Sequence, residues 1–449
     1  MPEVEATTAQ STAGEAISPP ASFFQRLRFL GPSLVLTASL VGSGELIVTT
    51  IFGAKLGFVA LWIIIVCCVG KVAMQEALGR YTISSGQTSL QALDRIPGPR
   101  FVLAWPIWIW IAVVLLTVFQ MGGIAILVGE SISLVLPQLN SQRWAPVVCA
   151  LTLVLLLSGR YEVVERLSTF FVVIFSVSTI ASAVLLQWTP YAITSAQLLD
   201  GFKFRLPEAG VGIVLAIVGA VGLSSMDLLF YPYWCLEKGY ARFTGPNQPT
   251  SEWSLRAKGW IQVMQMDCLL ALIIYTLTTL AFYLLGAAVL HARSDVPAGM
   301  KVVRTLAAMY TETLGKGAFY FYVAAAFSVL YSTLFVSVAA YSRFMTDCLD
   351  LLGRLPSGDE SRRRSNRGFL IFFSTLYALL SQLPSSPVSL VVLGLSGVAL
   401  MLPLVCFVAV YLRFRHLDPR LRPSPILDFW LWTSAVLTSA MTLYALFQQ

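Results

Sequence analysis

Two short strings in the sequence combine small, helix-weakening residues with a carboxylate. The first is Gly42-Ser43-Gly44-Glu45 and the second is Leu223-Ser224-Ser225-Met226-Asp227. Glycine weakens a helix, and serine hydroxyls compete for its backbone hydrogen bonds. Carboxylate, hydroxyl and freed carbonyl oxygens suit hard cations, so the strings predict a site for a small ion or solute. The candidate substrate-binding residues are Gly42, Ser43, Gly44, Glu45, Leu223, Ser224, Ser225 and Asp227, with Glu45 and Asp227 as the candidate metal ligands.

The composition indicates that membrane-spanning helices carry these strings. The 449 residues are 57% hydrophobic and only 12% charged, with a mean hydropathy of +0.76. A soluble domain is nearer a quarter charged, and a membrane-spanning helix takes about 20 residues. The apolar runs predict eleven spans, numbered here in chain order: about 29–53, 58–79, 102–129, 145–158, 167–188, 210–235, 261–290, 317–341, 367–383, 387–412 and 427–447. The lipid bilayer is therefore the expected partner, and the net charge of +7 predicts topology, not nucleic-acid binding.

The basic residues of the connections predict the orientation of the chain. With the N-terminus inside, 21 Lys and Arg residues fall on the inner side and eight on the outer side. Because cytoplasmic loops carry such an excess, we expect a multi-pass protein of the cell membrane with a cytoplasmic N-terminus. An odd number of spans then places the C-terminus outside. Residues 1–24, rich in Ala, Ser, Thr and Pro, are expected to form a disordered cytoplasmic tail.

The positions of the two strings predict an internal repeat. They lie in span 1 and span 6, five spans apart, so the two halves of the chain face opposite ways across the membrane. We expect a first inverted repeat over 25–190 (spans 1–5), a second over 205–415 (spans 6–10) and an eleventh span over 425–449. The predicted fold is all-α, with helices 1 and 6 broken near the midplane, where free N–H and carbonyl groups form a site.

Catalysis has no support in the sequence. The chain has two histidines, His291 and His416, both at span ends and neither beside a nucleophile. Its seven cysteines show no spacing typical of a metal site. We therefore expect no catalytic residues, no cofactor and no enzymatic activity.

Short strings in a fixed order connect the chain to a known family. They include Gly31-Pro32 opening span 1, Met74-Gln75 in span 2, Val218-Gly219-Ala220 in span 6 and Leu402-Pro403 in span 10. Over about 31–403 the chain resembles the NRAMP family of divalent-metal transporters. The resemblance implies a LeuT-like fold with a 5+5 inverted repeat, followed here by an eleventh helix, and secondary transport by alternating access.

The resemblance also shows that the family's functional positions are altered. Its Asp-Pro-Gly-Asn motif falls on 42–45 and its Met-Pro-His-Asn motif on 223–226, so the carboxylate of span 1 moves three residues and the thioether is lost at Leu223. The acidic pair of span 3, which the family is thought to use for protons, falls on Thr117 and Gln120. Since neither side chain exchanges protons near neutral pH, we do not expect proton coupling.

These changes predict the class of cargo. A thioether favours soft metals, whereas oxygen ligands suit hard cations, so the sequence favours transport of Mg, Ca or Mn through an all-oxygen site. An amino acid or other small amine or carboxylate is the alternative, because the Gly-Ser-Gly string also resembles the amino-acid branch of the same superfold. A non-transporting membrane receptor or scaffold is a third class. The sequence predicts no particular oligomeric state.

Overall fold

The computed structural model of the chain is almost entirely helical, as predicted. It describes residues 16–33, 37, 44–158, 161–205, 211–297, 301–355 and 358–447, so that 1–15 of the expected tail lie outside the described residues. Within that part, strand structure is limited to the two-residue pair Arg100–Phe101 and Leu103–Ala104. The helices of spans 2 to 11 are Leu61–Ser85, Trp105–Ser133, Ser141–Leu157, Tyr161–Leu185, Val211–Ala220 with Ser225–Lys238, Ser251–Leu285, Ala318–Leu351, Asp359–Leu380, Pro387–Arg415 and Pro425–Phe447.

The helices have the length and surface that a bilayer requires. Seven of those in the described ranges are long and apolar enough to cross a membrane, and two shorter apolar helices belong to spans 4 and 5. Span 7 shows the outward face clearly, because Leu269, Ile273 and Leu277 are each about half exposed and recur every fourth residue. Such a stripe lies on one side of a helix, where lipid tails would cover it.

Span 1 is described only in part, because residues 34–36 and 38–43, and with them the break predicted at Gly42 and Ser43, lie outside the described residues. A short helix, Phe23–Leu27, precedes it, and the chain then enters the span at Gly31, whose N–H donates to Asp267 Oδ1 of span 7 at 2.9 Å. After 38–43, which lie outside the described residues, the span continues as a π-helix over Gly44–Thr49 and an α-helix over Thr50–Leu56. π-Helical turns are rare and often occur at functional sites.

Span 6 is broken, as predicted, between Val211–Ala220 and Ser225–Lys238. Gly222 in the break has φ +63°, and a Cβ there would lie 3.1 Å from Cys68 Cα of span 2. Only glycine satisfies both the left-handed backbone and the close approach. The second helix begins with a capping box, in which Ser224 and Asp227 each bind the other's backbone N–H.

Spans 1 and 7 touch through their backbones. A Cβ on Gly53 would lie 2.4 Å from the carbonyl oxygen of Tyr283, and a Cβ on Gly286 would lie 2.4 Å from that of Thr50. Span 7 also carries a π-helical turn at this contact, over Gly286–Leu290. The two glycines therefore allow a close packing that any side chain would prevent.

A buried ion pair ties span 2 to neighbouring elements. Arg80 donates to Glu76 Oε1 from Nε at 3.0 Å and to the carbonyl oxygen of Leu421 at 2.9 Å. Gln265 of span 7 donates to the same Glu76 oxygen at 2.8 Å. Both charged side chains are less than a tenth exposed, so each depends on the other for compensation of its charge.

Candidate functional site

A cavity of about 120 Å³ lies beside the break in span 6. Since a water molecule takes about 30 Å³ in the liquid, it has room for a small ion with a few waters or for a small organic group. Its walls come from spans 1, 3, 6, 8 and 10. The lining residues are Gly44, Gln120, Met121, Ala220, Ser224, Met226, Asp227, Phe230, Thr333, Val336, Ser337, Ala340, Tyr341, Leu395 and Val398.

Asp227 is the one carboxylate among the described residues that line this cavity. Its Oδ2 accepts the Ser224 N–H at 2.9 Å, and its own N–H donates to Ser224 Oγ at 3.1 Å. The helix that starts here directs its positive end toward the same place, which stabilises a carboxylate. The capping box thus fixes an anionic group at the wall of the cavity.

Glu45 lies next to the cavity and does not line it. The side chain is 1% exposed, and its Oε2 accepts the Thr49 hydroxyl at 2.9 Å. Its Oε1 accepts the N–H of Gly222 at 3.3 Å, across the interface with span 6. Glu45 therefore joins the π-helix of span 1 to the break in span 6.

Lys71 of span 2 approaches the same break from another side. It is fully buried, and its Nζ donates to the carbonyl oxygens of Val218 at 2.6 Å and Val221 at 2.7 Å. In a continuous helix the N–H of Gly222 would donate to the carbonyl of Val218, four residues earlier. Here the Glu45 carboxylate accepts the hydrogen bond of the Gly222 N–H, and the Lys71 ammonium donates to the carbonyl of Val218. Two oppositely charged side chains thus replace one backbone hydrogen bond of span 6.

The other predicted binding residues divide into two groups. Gly44 and Ser224 line the cavity with Asp227. Ser225 does not, because its hydroxyl donates to the carbonyl of Val398 at 2.7 Å and its side chain is fully buried. Leu223 is 1% exposed and also lies outside the lining, so its position in the string does not place it at the cavity. Gly42 and Ser43 lie outside the described residues.

The two altered positions in span 3 also differ in their placement. Gln120 lines the cavity, next to Gly394 of span 10, where a Cβ would lie 2.4 Å from the Gln120 Cβ. Thr117 is buried and does not line the cavity, and its hydroxyl donates to the carbonyl of Val114 in its own helix at 2.7 Å. Only one of the two therefore faces the cavity.

Sequence reasoning missed two thioethers. Met226 and Met121 both line the cavity, and Met121 Sδ accepts the Ser337 hydroxyl at 3.0 Å. The sequence predicted an all-oxygen site, whereas the described lining also includes these two methionines, one of them three residues after Leu223. Met226 belongs to the first turn of the second half of span 6, and that turn borders the cavity. The sequence string contained this residue, but its orientation depends on where the helix restarts.

Sequence reasoning also missed a polar stripe on span 8. Thr333, Ser337 and Tyr341 recur every fourth residue and all line the cavity. That spacing puts them on one face of a helix, and polar residues on one face of an apolar span would have been a usable signal. Among the described residues, no three His, Cys, Asp or Glu side chains come together as a metal site. A cation here would therefore bind to one carboxylate and neutral groups.

The fold is that of LeuT-type membrane transporters, in which a broken helix borders a central site. The chain is similar to a crystal structure of the Eremococcus coleocola manganese transporter, with a TM-score of 0.65 and 15% identity over 97% of this chain and 90% of that one. It is also similar to Mhp1, a nucleobase-cation-symport-1 family transporter, in a closed conformation with bromovinylhydantoin bound (TM-score 0.58, 12% identity, 97% and 92% covered). A third similar structure is MhsT in complex with L-phenylalanine (TM-score 0.57, 12% identity, 96% and 99% covered).

The family match is specific and covers nearly the whole chain. The chain belongs to the natural resistance-associated macrophage protein-like (Nramp) family, which matches residues 33–448. It is also 24% identical over 358 residues to "Uncharacterized protein PM0681" of Pasteurella multocida (strain Pm70), with 78% of this chain and 76% of that protein covered. The predicted family and LeuT-like fold are confirmed, and the protein is a multi-pass membrane transporter.

Proposed function

We propose that the protein is a secondary transporter of a divalent cation, Mg, Ca or Mn, which occupies the cavity with part of its hydration shell. The observation that carries the proposal is the Asp227 carboxylate, fixed by its capping box at the wall of the cavity. Membership of the Nramp-like family supports it. The similar structure from Eremococcus coleocola is itself described as a manganese transporter.

The cavity offers oxygen ligands of modest strength. Beside Asp227 it has the amide of Gln120 and the hydroxyls of Ser224 and Tyr341. Hard divalent cations bind such oxygens and keep several waters, and one carboxylate gives the weak binding that release of a cargo requires. The thioether of Met226 adds one softer ligand, which favours Mn over Mg and Ca. Alternating access then requires the two repeats to move around this fixed site.

The test is cation uptake by proteoliposomes with trapped dyes for Mg²⁺, Ca²⁺ and Mn²⁺. Asp227→Asn keeps an acceptor for the Ser224 N–H but removes the charge, so we expect at least a tenfold higher KM, equivalent to about 1.4 kcal/mol. Asp200→Asn is the matched control, because Asp200 pairs with Lys203 away from the cavity and should leave uptake unchanged. An unchanged KM in Asp227→Asn would contradict the proposal.

A small organic amine is the second candidate, favoured by the apolar majority of the lining. Phe230, Val336, Leu395 and Val398 line the cavity together with Asp227, the one carboxylate of its described lining, and a mostly apolar wall is typical of small-molecule sites. An ammonium group would pair with Asp227 while its apolar part contacts this wall. Thermal-shift titration of the purified protein with MgCl₂ and MnCl₂, and separately with alkylamines and amino acids, separates the candidates. Stabilisation by amines alone would favour this reading over the metal.

We further propose that transport is not coupled to protons and is driven by the membrane potential. Thr117 and Gln120 carry no titratable proton, and the Thr117 hydroxyl is bonded within its own helix. Liposomes loaded with a pH-sensitive dye provide the test, with Mn²⁺ or Mg²⁺ added outside. Acidification of the lumen that follows cation entry would show that a proton route survives through other groups.

The orientation and the repeat boundaries remain proposals as well. We propose that the protein lies in the cell membrane with a cytoplasmic N-terminus and an outer C-terminus, with repeats over 25–190 and 205–415. The excess of basic residues in one set of connections supports this orientation. Labelling of single cysteines introduced at Lys203 and Arg364 in intact cells tests it, since only the first should react with an impermeant reagent.

A further inference from the structure

The Lys71 ammonium forms no ion pair with an acidic side chain of the described residues. Its two hydrogen-bond acceptors are the carbonyl oxygens of Val218 and Val221, and it forms no salt bridge within 4 Å to any acidic group in the described ranges. The side chain has no exposed surface. An isolated charge in such a place is costly unless polar groups compensate it, so the two carbonyls must carry much of that compensation.

Those carbonyls lie at the end of a half-helix, since Val218 is in its last turn and Val221 directly follows its last residue. Val211–Ala220 ends at the break, and the last carbonyls of a helix carry partial negative charge and lack partners within it. In transporters with broken helices, such carbonyls coordinate the small cation that drives transport. A side chain that donates to two of them therefore stands where a free cation would bind.

We propose that Lys71 is a built-in cation, whose ammonium permanently occupies a monovalent-cation site at the break in span 6. The carbonyls of Val218 and Val221 form one side of this site. Glu45, bound to Gly222 N–H in the same break, supplies the negative charge on the other side. The site is separate from the cavity beside Asp227, so the inference holds whichever cargo that cavity carries. Its consequence is that the protein needs no Na⁺ or K⁺ at this place.

The test is the dependence of thermal stability on small cations. Wild-type protein in detergent is compared in NaCl, KCl and methylammonium chloride against N-methylglucamine chloride, whose cation is too large for the site. Lys71→Ala opens space beside the two carbonyls, whereas Lys71→Met fills the same space without charge or donors and serves as the matched control. Removal of the ammonium leaves buried carbonyls without a donor in both variants.

The expected pattern differs among the three proteins. Wild type melts at the same temperature in all four salts. Lys71→Ala melts lower in N-methylglucamine and recovers by at least about 3 °C in one of the small cations. Lys71→Met melts lower in every salt and does not recover. A wild-type protein stabilised by Na⁺ or K⁺, or a Lys71→Ala variant as unresponsive as Lys71→Met, would overturn the proposal.

A second measurement decides the question if Lys71→Ala cannot be purified. When Lys71 balances the charge of Glu45, removing both charges should do less harm than removing the lysine alone. The double variant Glu45→Gln with Lys71→Met is therefore expected to melt higher than Lys71→Met, by at least about 3 °C. A double variant that melts lower than both single variants, as independent losses require, would also overturn the proposal.

Discussion

Replacing Glu45 with glutamine should slow transport without weakening the binding of cargo. The Glu45 carboxylate accepts one hydrogen bond from Thr49 within span 1 and one from Gly222 in the break of span 6. It does not line the cavity, whereas Asp227 does. The substitution therefore disturbs the connection between span 1 and the break in span 6 and leaves the groups around the cargo in place.

The loss of stability can be estimated from these two hydrogen bonds. Glutamine keeps an acceptor oxygen for the Gly222 N–H, and its amide N–H can donate to the Thr49 hydroxyl, so both contacts persist without the charge. Each hydrogen bond changes from charge-assisted to neutral, which costs about 1 kcal/mol. The free energy of unfolding should therefore fall by about 2 kcal/mol. Thr49→Val removes only the hydroxyl donor and should show the same defect at smaller size.

The assay separates rate from affinity. Initial rates of Mn²⁺ uptake into proteoliposomes give the maximal rate, and isothermal titration in detergent gives the Kd for Mn²⁺. We expect the maximal rate to fall severalfold in Glu45→Gln while the Kd stays within about twofold, a change of only about 0.4 kcal/mol. A Kd at least tenfold higher would show that Glu45 contacts the cargo directly. An unchanged melting temperature would show that it does not connect the two helices.

Three further predictions follow from single contacts. Met226→Leu should weaken Mn²⁺ binding by up to about tenfold and leave Mg²⁺ binding unchanged, since only the softer ion uses the thioether. Parallel titrations with the two ions measure the ratio of their Kd values. Arg80→Ala should lower the free energy of unfolding by about 3–5 kcal/mol, because it leaves the buried Glu76 carboxylate unpaired. Arg80→Lys should lower it less, and melting curves in detergent measure both variants. Hydrogen bonds from the Arg420 side chain lower the pKa of Asp418 to about 2. The ionised Asp418 carboxylate therefore stabilises the fold fully above about pH 4, and this stabilisation is lost as the pH falls toward 2. Asp418→Asn should lower the free energy of unfolding at pH 7 by at most about 1 kcal/mol. The melting temperatures of the variant and the wild type should converge near pH 2.

The positions of the long apolar helices among the described residues could be predicted, because an apolar run of about 20 residues matches the thickness of the bilayer. The ends of the helices could not be predicted in the same way. Span 7 was expected over 261–290, yet its helix begins at Ser251, where Thr250 provides the N-cap. Its first turns include charged residues that an apolar window excludes, although capping and packing keep them helical.

The candidate site could be located to a few residues but not oriented. Gly44 and Glu45 are neighbours, yet the first lines the cavity and the second binds Gly222 behind it. The direction of each side chain depends on the π-helical turn that begins at Gly44, and helix-weakening residues predict a break without specifying its geometry. Leu223 and Met226 show the same effect, because the restart of the helix brings only the second to the cavity.

The paired glycines Gly53 and Gly286 limit how the transporter can move. With 2.4 Å between each added Cβ and the opposing carbonyl, a slip of one residue along either helix would force a side chain into the other backbone. We therefore expect the helix Thr50–Leu56 and the π-helical turn of span 7 to move together as one rigid unit, without sliding past each other. Any motion of this unit also carries the adjoining π-helix Gly44–Thr49. Because Gly44 lines the cavity, such a motion would change the cavity wall directly.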